Sequence, residues 1–177
     1  MNVEHRRRID RILDEGFLEG VESADLDLLR EMRRITDEVE TELSYYRRLL
    51  HGRMDLLSFE LRRRSGEETR SLIEALPEIL GSGERTGPMG RIPAIFSPDL
   101  PEERHRPVDK ALGDDFLTRM PELDVAELDE IQGLLAEAEE RISDQRRAVQ
   151  LVFDGIQAEI TRRYKDGTAG SVDLTAD

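Results

Sequence analysis

Apolar residues follow a helical period in two long stretches of the chain. In the first, Ile35, Val39, Leu43, Tyr46, Leu50, Met54, Leu57 and Leu61 succeed one another at steps of 4, 4, 3, 4, 4, 3 and 4. The second repeats those steps with Leu134, Ala138, Ile142, Gln145, Val149, Phe153, Ile156 and Ile160. Steps of three and four keep side chains on one face of an α-helix. Two long amphipathic helices are therefore expected, over 23–65 and 121–165. Each would be roughly 60 Å long, at about 1.5 Å per residue. An 11-residue repeat lies close to the natural helix period. It predicts nearly straight or slightly right-handed packing, not a left-handed heptad coil.

Punctuation divides the rest. Residues 1–20 read as a short amphipathic helix carrying Ile9, Ile12, Leu13 and Phe17, with Gly16 and Gly20 weakening its end. Ser23 or Asp25 offers an N-cap for the first long helix, and Ser65-Gly66 stops it. Residues 66–120 hold six of the seven prolines and read as a linker, with a short helix in "EETRSLIEALPEIL" and a disordered stretch after it. Pro121 or Asp124 opens the second long helix, and 166–177 read as a loose tail.

A second pattern rides on the same helices. Glu40, Ser44, Arg47, His51 and Asp55 are spaced 4, 3, 4 and 4 apart, and so are Glu139, Ser143, Arg146, Gln150 and Asp154. The two sets are offset by 99 residues, and four of the five polar identities survive that offset. A repeat kept only for packing would preserve apolar types and let the polar face drift. Each polar stripe lies about 100° around the helix from the apolar stripe, so it flanks the seam. Antiparallel pairing would put both stripes on one side of the pair, whereas parallel pairing would put them on opposite sides. The duplicated stripe thus favours an antiparallel hairpin with one composite polar face.

Composition narrows the function. Of the 177 residues, 37% are charged and 5% aromatic, too little bulky apolar material for a thick core and enough for thin helical packing. Absence of Cys excludes a disulfide framework and fits a reducing, cytoplasmic compartment. The first residues lack a long apolar core, so no signal peptide is expected, and no apolar run approaches a membrane span. A net charge of −14 argues against direct DNA binding and is compatible with a basic protein partner. His5, His51 and His105 are too scattered for a metal triad, and there is no phosphate loop or nucleophile–base pair, so neither a metal nor an enzyme is expected.

The polar set points to a nucleotide. Arg can present a fork to guanine O6 and N7, and a carboxylate can accept from guanine N1–H and N2–H₂. Ser with Gln or His adds donors for phosphate or ribose. Two copies would read two guanines, and cyclic di-GMP is a two-fold ligand with two guanines. E-x3-S-x2-R-x3-Q-x3-D, twice, on paired helices resembles the RsiG family of cyclic-di-GMP-dependent anti-sigma factors of actinomycetes. The second copy matches fully, while the first has His51 where the family pattern has Gln. The resemblance implies an all-α fold: a long antiparallel two-helix coiled-coil hairpin with an extra N-terminal helix. It implies cyclic di-GMP bound as a dimer by Glu40, Ser44, Arg47, His51, Asp55, Glu139, Ser143, Arg146, Gln150 and Asp154. It also implies a WhiG-type sporulation sigma factor as partner, gripped by the ligand-loaded protein and kept from RNA polymerase. The competing expectation is a ligand-independent coiled-coil adaptor for a basic partner.

Overall fold

A computed structural model describes residues 3–81 and 116–167. The stretch 82–115, on which the disordered part of the linker was expected, and the tail from 168 lie outside the described residues. All regular secondary structure among the described residues is helical: α1 (Val3–Ile12), α2 (Leu26–Ser65), α3 (Leu72–Gly81), α4 (Phe116–Arg119) and α5 (Val125–Lys165), with single 3-10 turns at Glu15–Leu18 and Met120–Glu122. No described helix is long and apolar enough to cross a membrane.

The helix ends are set by local chemistry. Asp25 caps α2, its Oδ1 accepting from the Leu28 amide at 2.7 Å. Asp124 caps α5 through a reciprocal box: its Oδ1 accepts from the Glu127 amide and its own amide donates to Glu127 Oε2, both at 2.8 Å. α2 stops at Gly66, which has a φ of 83°. There the Gly66 amide donates to the Arg63 carbonyl and the Glu67 amide to the Arg62 carbonyl, a pairing that needs a left-handed residue. The first helix is shorter than the apolar spacing predicts. Asp14 accepts from the Gly16 amide at 2.9 Å, which competes with helix continuation, and Phe17 sits in a 3-10 turn instead.

The chain forms two compact units, and each long helix contributes to both. One unit takes residues up to Ser44 together with those from Asp144, and the other takes Tyr45–Ser143. Within the first, Arg30 reaches Tyr164 and Arg146 reaches Glu40, so α2 and α5 run antiparallel there. Within the second, Arg47 reaches Glu139 and Gln132 reaches Ser58, which is the same sense. The first unit's core holds Leu29, Ile156 and Ile160 with Phe17, Val21 and Met32 against them. The second holds Leu50, Leu57, Phe116, Met120, Leu128, Leu135 and Ala138, with Leu72 at the start of α3 against them.

Burial keeps to the expected face and picks out a spacing of seven within it. Leu29, Thr36, Leu43, Leu50 and Leu57 are all fully buried, at a spacing of seven. Leu128, Leu135, Val149 and Ile156 continue that spacing on α5 around the half-buried Ile142. This heptad spacing overlaps the expected steps of 4, 4 and 3, of whose positions Val39, Leu43, Leu50 and Leu57 on α2 and Ala138, Val149, Ile156 and Ile160 on α5 are buried. The steps of 4, 4 and 3 led away from Thr36 because Thr is polar. Its hydroxyl is satisfied inside its own helix, donating to the Met32 carbonyl at 2.8 Å, so it can fill a core position.

A duplicated polar fastening closes each unit. Near the end of α2, Glu60 is 3% exposed and pairs with Arg63 and Arg64. Arg64 also donates to the carbonyls of Met120 at 3.0 Å, Pro121 at 3.3 Å and Leu123, in the turn that leads into α5. Near the end of α5, Glu159 pairs with Arg162 and Arg163. Arg163 donates to the carbonyls of Val21 at 2.9 Å, Glu22 at 3.2 Å and Ala24, in the turn that leads into α2. Every participant corresponds to its counterpart at the same offset of 99.

Candidate functional site

The ten residues singled out in the sequence divide between the two units, and each unit mixes both motif copies. In the first unit, Glu40 and Ser44 of α2 meet Arg146 and Gln150 of α5. In the second, Glu139 and Ser143 of α5 meet Arg47 and His51 of α2. Each cluster thus takes its acid and Ser from one copy and its Arg and amide or imidazole from the other. Antiparallel pairing requires this crossing, because residue numbers rise on one helix as they fall on the other.

Oε1 of the acid is the centre of each cluster. Glu40 Oε1 accepts from Ser44 Oγ at 2.8 Å, Arg146 Nε at 2.8 Å and Gln150 Nε2 at 3.4 Å. Arg146 Nε also lies 2.7 Å from Ser44 Oγ. Glu139 Oε1 accepts from Ser143 Oγ at 2.7 Å and Arg47 Nε at 3.1 Å, and lies 2.9 Å from His51 Nε2. The Ser143 hydroxyl foremost, then His51 and Arg47, hold the Glu139 carboxyl down at about 2, against the desolvation that would raise it. Mid-helix Ser, a mediocre helix former, earns its place here as a short donor to the acid one turn earlier.

The arginines are half-committed. Each uses Nε on the acid of the facing helix, while its two terminal nitrogens have no hydrogen-bond partner among the described residues. The guanidinium is planar and rigid, so fixing Nε fixes the direction of the remaining fork. Arg47 and Arg146 side chains are 39% and 30% exposed, so those forks are open to a ligand. A carboxylate behind each Arg aims it, which is the arrangement that reads an acceptor pair or a phosphate.

Asp55 and Asp154 behave differently from the other eight. Both are exposed, and neither has an ion pair or hydrogen bond among the described residues. They share the helical stripe but are not drawn into the clusters. Asp154 lies instead on a shallow depression with Gln157, Thr161 and Lys165. Among the described residues no group of His, Asp and Glu is arranged to hold a metal ion. Sequence reading missed the fastening residues Glu60, Arg63, Arg64, Glu159, Arg162 and Arg163. Their signal was the pattern E-x2-R-R recurring at the offset of the motif itself.

A family model described as RsiG-like matches residues 15–80 and 114–177. The chain belongs to the RsiG-like family. Membership supports an anti-sigma factor role, with a sigma factor as partner in general. The matched residues include both clusters and both Arg fastenings, and the skipped stretch lies between α3 and α4. No curated protein matches the chain.

Proposed function

We propose that the chain is a cyclic-di-GMP-dependent anti-sigma factor. Loaded with the ligand, as a dimer of cyclic di-GMP, it sequesters a WhiG-type flagellar or sporulation sigma factor from RNA polymerase in the cytoplasm. It works by binding and not by catalysis. The observation that carries this reading is the half-committed arginine, present once in each cluster: Nε held by Glu40 or Glu139, and terminal nitrogens without a hydrogen-bond partner among the described residues.

The chemistry of the donor set fits the ligand. The fork of Arg47 or Arg146 matches guanine O6 and N7. Glu40 or Glu139 accepts from the N1–H and N2–H₂ edge, with one carboxylate oxygen already oriented by Ser. Gln150 and His51 supply donors to ribose or phosphate, and exposed Asp55 and Asp154 are acceptors held in reserve at the stripe's end. Two equivalent clusters match two equivalent bases. Bound phosphates would neutralise the arginines and fix the clusters in one geometry, so that a partner meets one surface only when the ligand is present.

Calorimetric titration with cyclic di-GMP, with cyclic di-AMP as control, tests the reading. Saturable, guanine-selective binding of two ligands per chain is the expected result. No heat with either nucleotide would overturn it in favour of the second reading, a ligand-independent adaptor. That second reading draws on the net charge of −14 and on cross-helix Arg–Glu pairs acting purely as stitches. It predicts partner binding that weakens with salt and ignores nucleotide.

A further inference from the structure

We infer that Arg64 and Arg163 are positioning residues, which set the axial register of α2 against α5 and so keep each nucleotide cluster assembled. The inference rests on the cyclic-di-GMP reading only for its effect on affinity, and its structural half stands alone.

The apolar seam by itself specifies register poorly. Leu43, Leu50 and Leu57 are identical residues seven apart, so a slip of seven residues on α2 exchanges like for like. Such a slip moves one helix by about 10 Å along the other. It would carry Arg47 away from Glu139 and Arg146 away from Glu40, and dismantle both clusters. Polar groups in a seam are what fix register where apolar groups do not. The buried carboxylates Glu60 and Glu159 anchor the fastenings. Arg64 and Arg163 side chains are only 20% and 12% exposed. Each spans from its own helix end to carbonyls of the turn that starts the opposite helix. Those carbonyls lie before the first turn of the helix and have no intrahelical donor. A slip would strip a half-buried guanidinium of its carbonyls, so each fastening penalises every register but one.

The test uses the full chain, which has no Cys. Ser58 and Gln132 face each other at 3.2 Å across the seam of the second unit. A Ser58→Cys/Gln132→Cys pair reports the native register. A Ser58→Cys/Val125→Cys pair reports a seven-residue slip. Under mild oxidation the native pair is expected to close at least ~10-fold faster than the slipped pair, whose separation exceeds disulfide reach. Adding Arg64→Ala and Arg163→Ala together is expected to bring the two rates within ~3-fold, because neither fastening then holds the register. Well below its unfolding midpoint, this double variant is also expected to bind cyclic di-GMP ~10-fold more weakly, with affinity recovered once the 58–132 disulfide is closed. A fastening that only adds stability would shift the midpoint and leave the cross-linking ratio and the affinity unchanged, and that result overturns the inference. Should the double variant fail to fold, Arg64→Lys with Arg163→Lys keeps both charges without the forks, and an unchanged ratio in that variant is equally fatal. If wild-type chain ignores cyclic di-GMP, the ligand reading falls, while the cross-linking ratio still decides the register claim.

Discussion

Arg146 Nε lies 2.8 Å from Glu40 Oε1, across two helices and 106 positions of chain, with the terminal nitrogens of the Arg left without a partner among the described residues. The same relation holds between Arg47 and Glu139, at 3.1 Å. Arg63 on Glu60 and Arg162 on Glu159 each use two nitrogens, the stronger arrangement. Arg146 and Arg47 each use Nε alone on the acid of the facing helix.

Arg47→Ala and Arg146→Ala are each expected to lower cyclic-di-GMP affinity by at least ~30-fold, about 2 kcal/mol for a lost charged fork. Arg→Lys at either position is expected to recover little, since an ammonium offers no fork. Calorimetry reads the affinity, and far-ultraviolet circular dichroism should stay helical in all four variants. Unaltered affinity in the alanine variants would remove the clusters from the ligand site.

His51 is the one chemical difference between the clusters, standing where the other has Gln150. Gln carries two amide donors and an acceptor, whereas neutral imidazole has one of each. His51→Gln is therefore expected to tighten ligand binding by up to ~5-fold, about one hydrogen bond's worth. Direct titration of the variant beside the wild type measures this, and a loss of affinity would show that the imidazole itself is required.

The depressed Glu139 carboxyl makes an acid-dependence prediction. Its folded value of about 2 lies below its ordinary 4.5, so the stability it contributes is fully present above about 4.5 and is lost as pH falls toward 2. Thermal midpoints recorded between pH 6 and 2.5 should fall more steeply for wild type than for Glu139→Gln. At neutral pH the same variant should be less stable by about 1 kcal/mol, as one partly exposed charged cluster is lost. Parallel curves for the two proteins would contradict the role given to Glu139.

The heptad core predicts opposite outcomes at two neighbouring positions. Leu43→Ala should cost ~2–4 kcal/mol, since a fully buried Leu leaves a cavity. Thr36→Val should be neutral or stabilising by up to ~1 kcal/mol, because the hydroxyl only back-bonds within its helix and a methyl suits an apolar seam. Chemical denaturation at 25 °C distinguishes them. A large loss from Thr36→Val would mean that its hydroxyl has a partner beyond Met32.

Much of this was legible along the chain. Leu43, Leu50, Leu57, Val149 and Ile156 announced the seam by spacing alone, and the motif offset announced the two polar clusters. Thr36 was illegible, because a polar residue satisfied by its own backbone looks like surface in sequence. The end of α1 was illegible for a related reason: Asp14 could have been a helix residue, and becomes a turn residue only by bonding the Gly16 amide. Arg64 and Arg163 stand in basic last turns of their helices, a position where Arg is ordinary. Their partners are backbone carbonyls 56–59 and 139–142 positions away, which no local pattern encodes. Asp55 and Asp154 show the opposite error risk, since stripe membership alone did not bring them into contact with the clusters.

The central claim is that ligand gates the grip on a sigma factor. Its most direct test is surface-immobilised chain exposed to a purified WhiG-type sigma factor with and without saturating cyclic di-GMP. Capture strengthened at least ~10-fold by the nucleotide, and abolished in the Arg47→Ala/Arg146→Ala double variant, is the expected result. Equal capture with and without the nucleotide would contradict the account.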